Sequence, residues 1–307
     1  MIQLTTRPPG AALMAFAEEV GASGPVAVVG GRTQWDVGGP GHPSTRLVRA
    51  PSGILELEPA ELVVRCGAGT RVRELDDALA AHGLMCPIDP LGPDDATVGG
   101  AFSVGHSGIR RLRYGHLRDL LLEARFVAAD GQLVKAGAPV VKNVTGYDLC
   151  RLLVGALGTV GLIGEVVLRC RPVPAVREWF SSTTVDPFAL RRSLFGASAI
   201  LWDGLTTRVL LEGDAAEIAA ARSSLPGAWE TSAAPRVPHG RMSVRPGALR
   251  SMPTSVHTGW LAEIGVGTVH GVVAADPPLA PPVEALCVEL KRTFDPTGRL
   301  NPGRRPW

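Results

Sequence analysis

Three glycine-containing stretches carry the residue types that could hold an anion. The first is Gly30-Gly31-Arg32-Thr33-Gln34-Trp35-Asp36-Val37-Gly38-Gly39. Successive backbone N–H groups in such a turn form an anion-binding concavity, and glycine lets the chain approach a phosphate closely. Thr33 adds a hydroxyl and Arg32 a positive charge. A surface loop with two turns reads equally well from the local sequence. The second, Gly67-Ala68-Gly69-Thr70-Arg71-Val72, follows a strand and opens a helix, as a GxGxxG dinucleotide fingerprint does. Val72 stands where the third glycine belongs, and no βαβ unit with a ribose-binding acid follows, so a turn that opens a helix is the better reading. The third is Thr97-Val98-Gly99-Gly100 followed by Gly105-His106-Ser107-Gly108. It lies in a long loop-like stretch, and such loops are uncommon in compact domains and often functional. No GxxxxGK[ST] is present, which excludes P-loop chemistry.

Other chemistry is thinly represented. Arg110, Arg111, Arg113 and Arg118 cluster beside Tyr114, but 31 basic against 29 acidic residues give a net charge of only +2. That balance argues against nucleic acid and for a solvated loop that pairs with acids or a phosphate. His106, His116 and His270 suit acid–base work by residue type, and a hydrogen-bonded structural role suits each as well. The five cysteines (Cys66, Cys86, Cys150, Cys170, Cys287) form no CxxC, and there is no HExxH. No metal, zinc or iron–sulfur site is expected within the chain. The odd cysteine count without a secretory signal implies reduced thiols and a cytoplasmic setting. No apolar run reaches 18 residues, so no membrane-spanning helix is expected.

These stretches must be positioned by regular elements. The 307 residues, 45% hydrophobic, suggest about two globular domains. The 37 glycines and 26 prolines are not periodic, which excludes collagen and points to loops or close backbone approach. Residues 11–20 read as a helix, Val26–Val29 as a buried strand, and 45–50, 54–58 and 61–66 as short strands. Residues 71–82 form an amphipathic helix that presents Val72, Leu75 and Leu79. Pro87 to Gly115 reads as loop. Asp130-Gly131 between two apolar runs predicts a hairpin, and 162–169 a further strand. Pro172 and Pro174 mark a boundary. Beyond it a strand at 208–212 leads to Asp214, which caps a helix through Ser223 with Glu217 at its third position. Residues 225–258 are poorly patterned, a strand lies near 266–274, and a final helix covers 283–294. The fold class is α+β, with domains at 1–172, 173–276 and a returning 277–307.

In order, these motifs resemble the vanillyl-alcohol-oxidase family of FAD-binding proteins, whose flavin domain is called the PCMH type. Gly30–Gly38 resembles its pyrophosphate loop, and Val64–Gly83 its strand–glycine–helix unit. Thr97-Val98-Gly99-Gly100, Gly108 and Arg113-Tyr114-Gly115 resemble the TIGG…G…RYG segment. Residues 155–163 resemble GSEGTLGII, and Asp295-Pro296…Asn301-Pro302-Gly303-Arg304 resembles the terminal DPxGxxNPGK/R. The stretch Val141–Leu149 is similar to a segment of the FAD-binding E subunits of bacterial glycolate oxidases.

The resemblance implies two α+β subdomains that grip an extended FAD, and a short α+β cap. By it, Gly30, Gly31, Arg32, Thr33, Gln34 and Trp35 meet the pyrophosphate. Pro90, Thr97, Val98, Gly99, Gly100, Ser107 and Gly108 line the cofactor, Thr159, Gly161 and Ile163 sit near ribose and adenine, and Asn301 approaches the ring. Arg32-Thr33 stand where some members carry a flavin-linking histidine, which implies noncovalent FAD. Gly105 stands where many members carry Asn. The cap motif HxGDGNxH is reduced to Val269-His270-Gly271, so no catalytic residue is assigned. The implied role is the FAD subunit of a glycolate-oxidising complex, with a second FAD subunit, an iron–sulfur subunit and a peripheral attachment to the membrane through partners. The alternatives are a self-sufficient FAD-dependent hydroxy-acid dehydrogenase and a non-catalytic scaffold of the same fold.

Overall fold

The computed structural model describes residues 8–90, 92, 94–138, 148–252, 259–271 and 280–305; Val141–Gly146 and Tyr147 of the predicted signature segment lie outside them. The elements run α1 (Ala11–Val20), β1 (Val26–Val28), β2 (Arg46–Val48), β3 (Ile54–Glu58), β4 (Val63–Gly67), α2 (Val72–Ala80), β5 (Leu84–Met85), α3 (Val98–Val104) and α4 (Arg111–Tyr114). They continue with β6 (Leu121–Val127), β7 (Leu133–Gly137), α5 (Leu149–Leu153), β8 (Leu162–Arg169) and β9 (Arg171–Pro172). Then come β10 (Val176–Ser182), α6 (Pro187–Ser193), β11 (Ala199–Trp202), β12 (Thr207–Gly213), α7 (Ala215–Ser223) and β13 (Glu230–Ser232). Last are β14 (Arg241–Ser243), β15 (Leu261–Glu263), β16 (Thr268–His270) and α8 (Pro281–Phe294). The chain divides into two units, one of Met1–Gly108, His116–Val173 and Leu279–Trp307, the other of Ile109–Gly115 and Pro174–Pro278.

The first unit is built on an antiparallel sheet in the order β3-β4-β8-β6-β7. Period-two alternation sends Val64, Cys66, Ala124, Phe126, Val166 and Leu168 into a core that also takes Leu75 and Leu79 of α2 and Phe102 of α3. The register puts Arg65, Glu123, Arg125 and Glu165 on the opposite face, where they too are buried. They neutralise one another: Arg65 reaches Glu123 at 2.9 Å and Glu165 at 3.0 Å, and Arg125 reaches Glu165 at 3.3 Å. Burial works to lower the Arg65 pKa, and its bonds to Glu123, Glu165 and Glu56 outweigh that and raise it. Such a network specifies register, because a slip by one residue would bury unpaired charge.

A second, parallel pair, β1-β2, joins the first sheet through an apolar cluster of Leu13, Phe16, Val20, Val26, Val48, Val127, Leu162 and Leu300. The segment after α8 adds a third rung, since Leu300 bridges Val26 in parallel. Asp295 organises that return. Its buried carboxylate accepts from the amides of Arg299 (3.0 Å) and Leu300 (2.8 Å) and from Lys291 Nζ (2.5 Å). Arg299 then donates to the carbonyls of Val20, Ser23, Gly24 and Ala129.

The second unit is a seven-stranded antiparallel sheet, β13-β10-β12-β11-β15-β16-β14. The helices α6 and α7 pack on one face with Phe180, Ile200, Trp202, Val209 and Ile218. Asp214 caps α7 and accepts from the Glu217 amide at 2.7 Å. The segment Ile109–Gly115 joins this unit through Arg110, which pairs with the buried Glu212 at 3.3 Å. Arg177 meets the same carboxylate at 2.7 Å. Burial works to raise the Glu212 pKa, and the Ser198 hydroxyl together with the two guanidiniums outweighs it and holds it below its ordinary value.

Two expectations change. The stretch read as loop from Pro87 to Gly115 contains α3, because Thr97 caps it and Val98, Ala101 and Phe102 bury one face. Residues 225–258, read as unpatterned, contain β13 and β14. These strands are three residues long, too short to show alternation.

Candidate functional site

The sites read from sequence converge on one cleft of the first unit, about 920 Å³ with the solvent at its mouth. Its floor is the chain leaving β1. Val29 donates to Val48 O at 2.9 Å, then Gly30 and Gly31 run alongside Asp95–Thr97. A Cβ on Gly30 would sit 2.3 Å from Thr97 Oγ1, and one on Gly31 1.5 Å from Asp95 O. The two glycines are therefore required by the protein's own packing, Gly30 against the Thr97 side chain and Gly31 against the Asp95 backbone, not only by a ligand. Arg32 turns the chain with φ of +59°. The next bonds are Trp35 N to Arg32 O and Val37 N to Gln34 O, both 3.3 Å. Among the described residues the amides of Gly30, Gly31, Arg32, Thr33 and Gln34 find no acceptor. Gly31, Arg32 and Thr33 are exposed and the flanking Gly30 and Gln34 half-buried, so these amides are open to a ligand, and successive N–H groups beside a cleft can form an anion-binding nest.

The second wall is α3 and its approach. Thr97 Oγ1 accepts from the Gly100 amide at 3.2 Å, and the Gly99 amide donates to Ala68 O at 2.7 Å. A Cβ on Gly99 would come within 2.7 Å of Ala68 Cβ. The Gly67–Thr70 turn does open α2, yet Ala68 and Gly69 also line the cleft. The third wall comes from Leu157, Gly158, Leu162, Ile163, Asn301 and Arg304. Asn301 Nδ2 donates to Leu157 O at 2.5 Å. Asn301 and Leu157 hold φ of +42° and +50°. With Arg32, three of the five non-glycine residues at positive φ line this cleft. Each costs about 1–3 kcal/mol, and such strain concentrates at functional sites.

Eleven of the sequence-predicted residues line the cleft: Gly30, Gly31, Arg32, Thr33, Gln34, Trp35, Thr97, Gly99, Gly100, Ile163 and Asn301. Six are not among its lining residues. Val98 is buried in the core, and Gly161 abuts Phe126. Ser107 accepts from the Leu117 amide at 3.0 Å. A Cβ on Gly108 would meet Asp89 Cβ at 2.1 Å. Thr159 donates to Ala156 O at 2.7 Å, and Pro90 lies half-buried beside Asp89. Sequence reasoning missed Ala68, Gly69, Leu157 and Arg304 as lining residues. Gly67–Gly69 and the terminal Arg304 were visible signals, but only the folded backbone shows that they meet.

The lining holds two guanidiniums and no carboxylate, histidine or cysteine. The histidines have structural partners: His106 Nδ1 meets Gln34 Oε1 at 3.0 Å, His116 caps a turn with Asp119, and His270 Nε2 meets Glu263 Oε1 at 2.7 Å. Cys66, Cys150 and Cys170 are pushed up to about 12 by burial, and burial pushes Cys86 up as well, so these thiols stay protonated. No group of three or more His, Cys, Asp or Glu among the described residues could hold a metal ion. No helix among them is long and apolar enough to cross a membrane. The donor set and cleft suit an elongated ligand with an anionic centre and apolar ends.

Comparison with known proteins agrees with this chemistry. A family model described as an FAD binding domain matches residues 3–137. The chain is 29% identical to the glycolate oxidase subunit GlcE of Escherichia coli, over 91% of this chain and 92% of that one. It is 38% identical to a D-lactate dehydrogenase of Archaeoglobus fulgidus over 52% of this chain, and spans only 36% of that enzyme. A third relative, the glycolate oxidase subunit GlcD of Bacillus subtilis, is 33% identical over 41% of this chain and 27% of its own length. Among solved structures, alkyldihydroxyacetonephosphate synthase has a TM-score of 0.70 at 14% identity, covering 95% of this chain and 74% of that one. This last likeness is one of fold.

Proposed function

We propose that this chain, which is similar to FAD-binding oxidoreductases, is the FAD-holding subunit of a complex that oxidises a 2-hydroxy acid, glycolate to glyoxylate. The observation that carries the reading is coverage. The similarity to GlcE runs through nearly the whole of both chains, whereas the D-lactate dehydrogenase matches over about half of this one. The extent of the match thus follows the subunit pattern.

The cleft fits the cofactor through its donors. The free amides of Gly30–Gln34 and the Thr33 hydroxyl offer hydrogen bonds to a diphosphate, and Thr97–Gly100, Ile163 and Asn301 bound the rest of the space. By the family resemblance, Pro90, Val98, Ser107, Gly108, Thr159 and Gly161 complete the cofactor's surroundings. With no histidine or cysteine in the lining, FAD is held noncovalently. When bound, FAD supplies a two-electron acceptor. Oxidation of glycolate to glyoxylate releases two electrons and two protons, and the electrons pass on to a partner. A second FAD subunit and an iron–sulfur subunit would complete the chain of transfer, with any contact to the membrane made through them.

The test is purification followed by assay. The isolated chain should be yellow, release about one FAD per chain in acid, and reduce a dye with glycolate only when its partner subunits are present. A colourless protein that takes up no FAD would refute the reading. The 38% local identity to a D-lactate dehydrogenase favours a second reading, a self-sufficient dehydrogenase. Full-rate dye reduction by the isolated chain with D-lactate or glycolate would select it.

A further inference from the structure

Arg304 was not among the residues expected to meet the cofactor, yet its side chain enters the cleft from the segment after α8. Two guanidiniums face the same space, Arg304 and Arg32, and among the described residues no carboxylate lines it. Both lie over the Trp35 ring, with Cζ at 4.8 Å and 5.3 Å from its centre. Arg304 also donates to Val37 O at 3.2 Å and to Gly39 O. Burial pulls its guanidinium below the ordinary value, and Asp36 opposes that pull.

The segment carrying Arg304 is bound to the glycine turn along its backbone. Arg305 N donates to Gly38 O and His42 N to Pro302 O, both at 2.8 Å. Asn301 N donates to Val26 O at 2.8 Å. A charge that holds Arg304 therefore also holds residues 37–42 and 301–305 together.

We propose that Arg304, with Arg32, is the charge partner of the diphosphate of FAD, so that the 299–305 segment is part of the cofactor site and is fixed by its occupancy. The proposal rests on the FAD reading above. A diphosphate is the one strongly anionic part of that cofactor, and guanidinium forks match phosphate oxygens in two-bond geometry. Arg304 is thereby a specificity determinant for dinucleotide over uncharged flavins.

The experiment uses the full chain stripped of flavin, titrated with FAD and followed by flavin fluorescence. Arg304→Gln should weaken FAD binding by about 10–100-fold at 50 mM NaCl, and Arg304→Lys should recover part of that loss. At 1 M NaCl the gap between native and R304Q should narrow at least about threefold, because salt screens a charge contribution and leaves a packing defect untouched. Arg32→Gln, which removes no hydrogen bond, should weaken FAD by about tenfold and serves if R304Q does not fold. Binding by R304Q within about threefold of native, or a gap equal at both salt concentrations, overturns the proposal and leaves the FAD reading intact. Should R304Q not fold, native-like FAD binding by R32Q overturns it. A native chain that binds no FAD overturns both.

Discussion

Replacing Asp295 by Ala tests whether the returning segment is the keystone of the cleft. The carboxylate is buried and serves four donors: the amides of Arg299 and Leu300, the Thr297 hydroxyl and Lys291 Nζ. Removing one partner of a buried ion pair costs about 3–5 kcal/mol, and each buried amide left without an acceptor about 1–3 kcal/mol. These losses share one side chain and do not add. Lys291 is 26% exposed and keeps the carbonyls of Thr159 and Leu300, so the lower part of the range applies, about 3–4 kcal/mol. At about 2–4 °C per kcal/mol for a unit of this size, the melting temperature should fall by roughly 6–16 °C. The loss should also reach the cofactor, since Leu300 bridges Val26 and Asn301 bounds the cleft. Thermal melting followed by circular dichroism, with FAD affinity measured at 20 °C below the variant's midpoint, reads both effects. A fall of less than about 2 °C with FAD affinity unchanged would refute the reasoning.

Three further outcomes follow from single positions. Gly31→Ala places a Cβ 1.5 Å from Asp95 O; it should destabilise by about 1–3 kcal/mol or more and lower FAD affinity. Gly247→Ala, which meets nothing within 4 Å, should be neutral or stabilise by about 0.4–1 kcal/mol, both variants being read by urea titration. Glu212 has its pKa held below the ordinary 4.5, so its share of stability is fully present above that pH and is lost as the pH falls through the depressed value. Native protein should therefore lose stability more steeply below pH 4.5 than Glu212→Gln, and parallel curves for the two would count against the clasp.

Much of the fold was legible where the signal is local. The helix at 11–20, the Asp130-Gly131 hairpin and the Asp214 cap need only neighbours within a few residues, and all three form. The helix Val98–Val104 was hidden because glycine disfavours helices by about 1 kcal/mol each, and burial of Phe102 against a distant sheet outweighs that. The site divides the same way. The glycine turn after β1 announces itself by composition, whereas the joining of Arg304 to it rests on Asp295 and on Arg299, whose acceptors lie between 170 and 279 residues away. The glycines themselves took on a second meaning: Gly30, Gly31 and Gly99 let the chain pack closely against Thr97, Asp95 and Ala68.

The rung formed by Leu300 also sets an order of events during synthesis. Ile163 and Arg299, both in the first unit, are separated in the chain by Pro174–Pro278 of the second. At about 5–20 residues per second, a ribosome needs roughly 7–27 s to travel from one to the other. For that interval the nascent chain carries β1 and the glycine turn without the strand, amide and guanidinium that finish the cleft. Loading of the cofactor is thus a late step, and the open edge at Val26 is where a chaperone would have reason to wait.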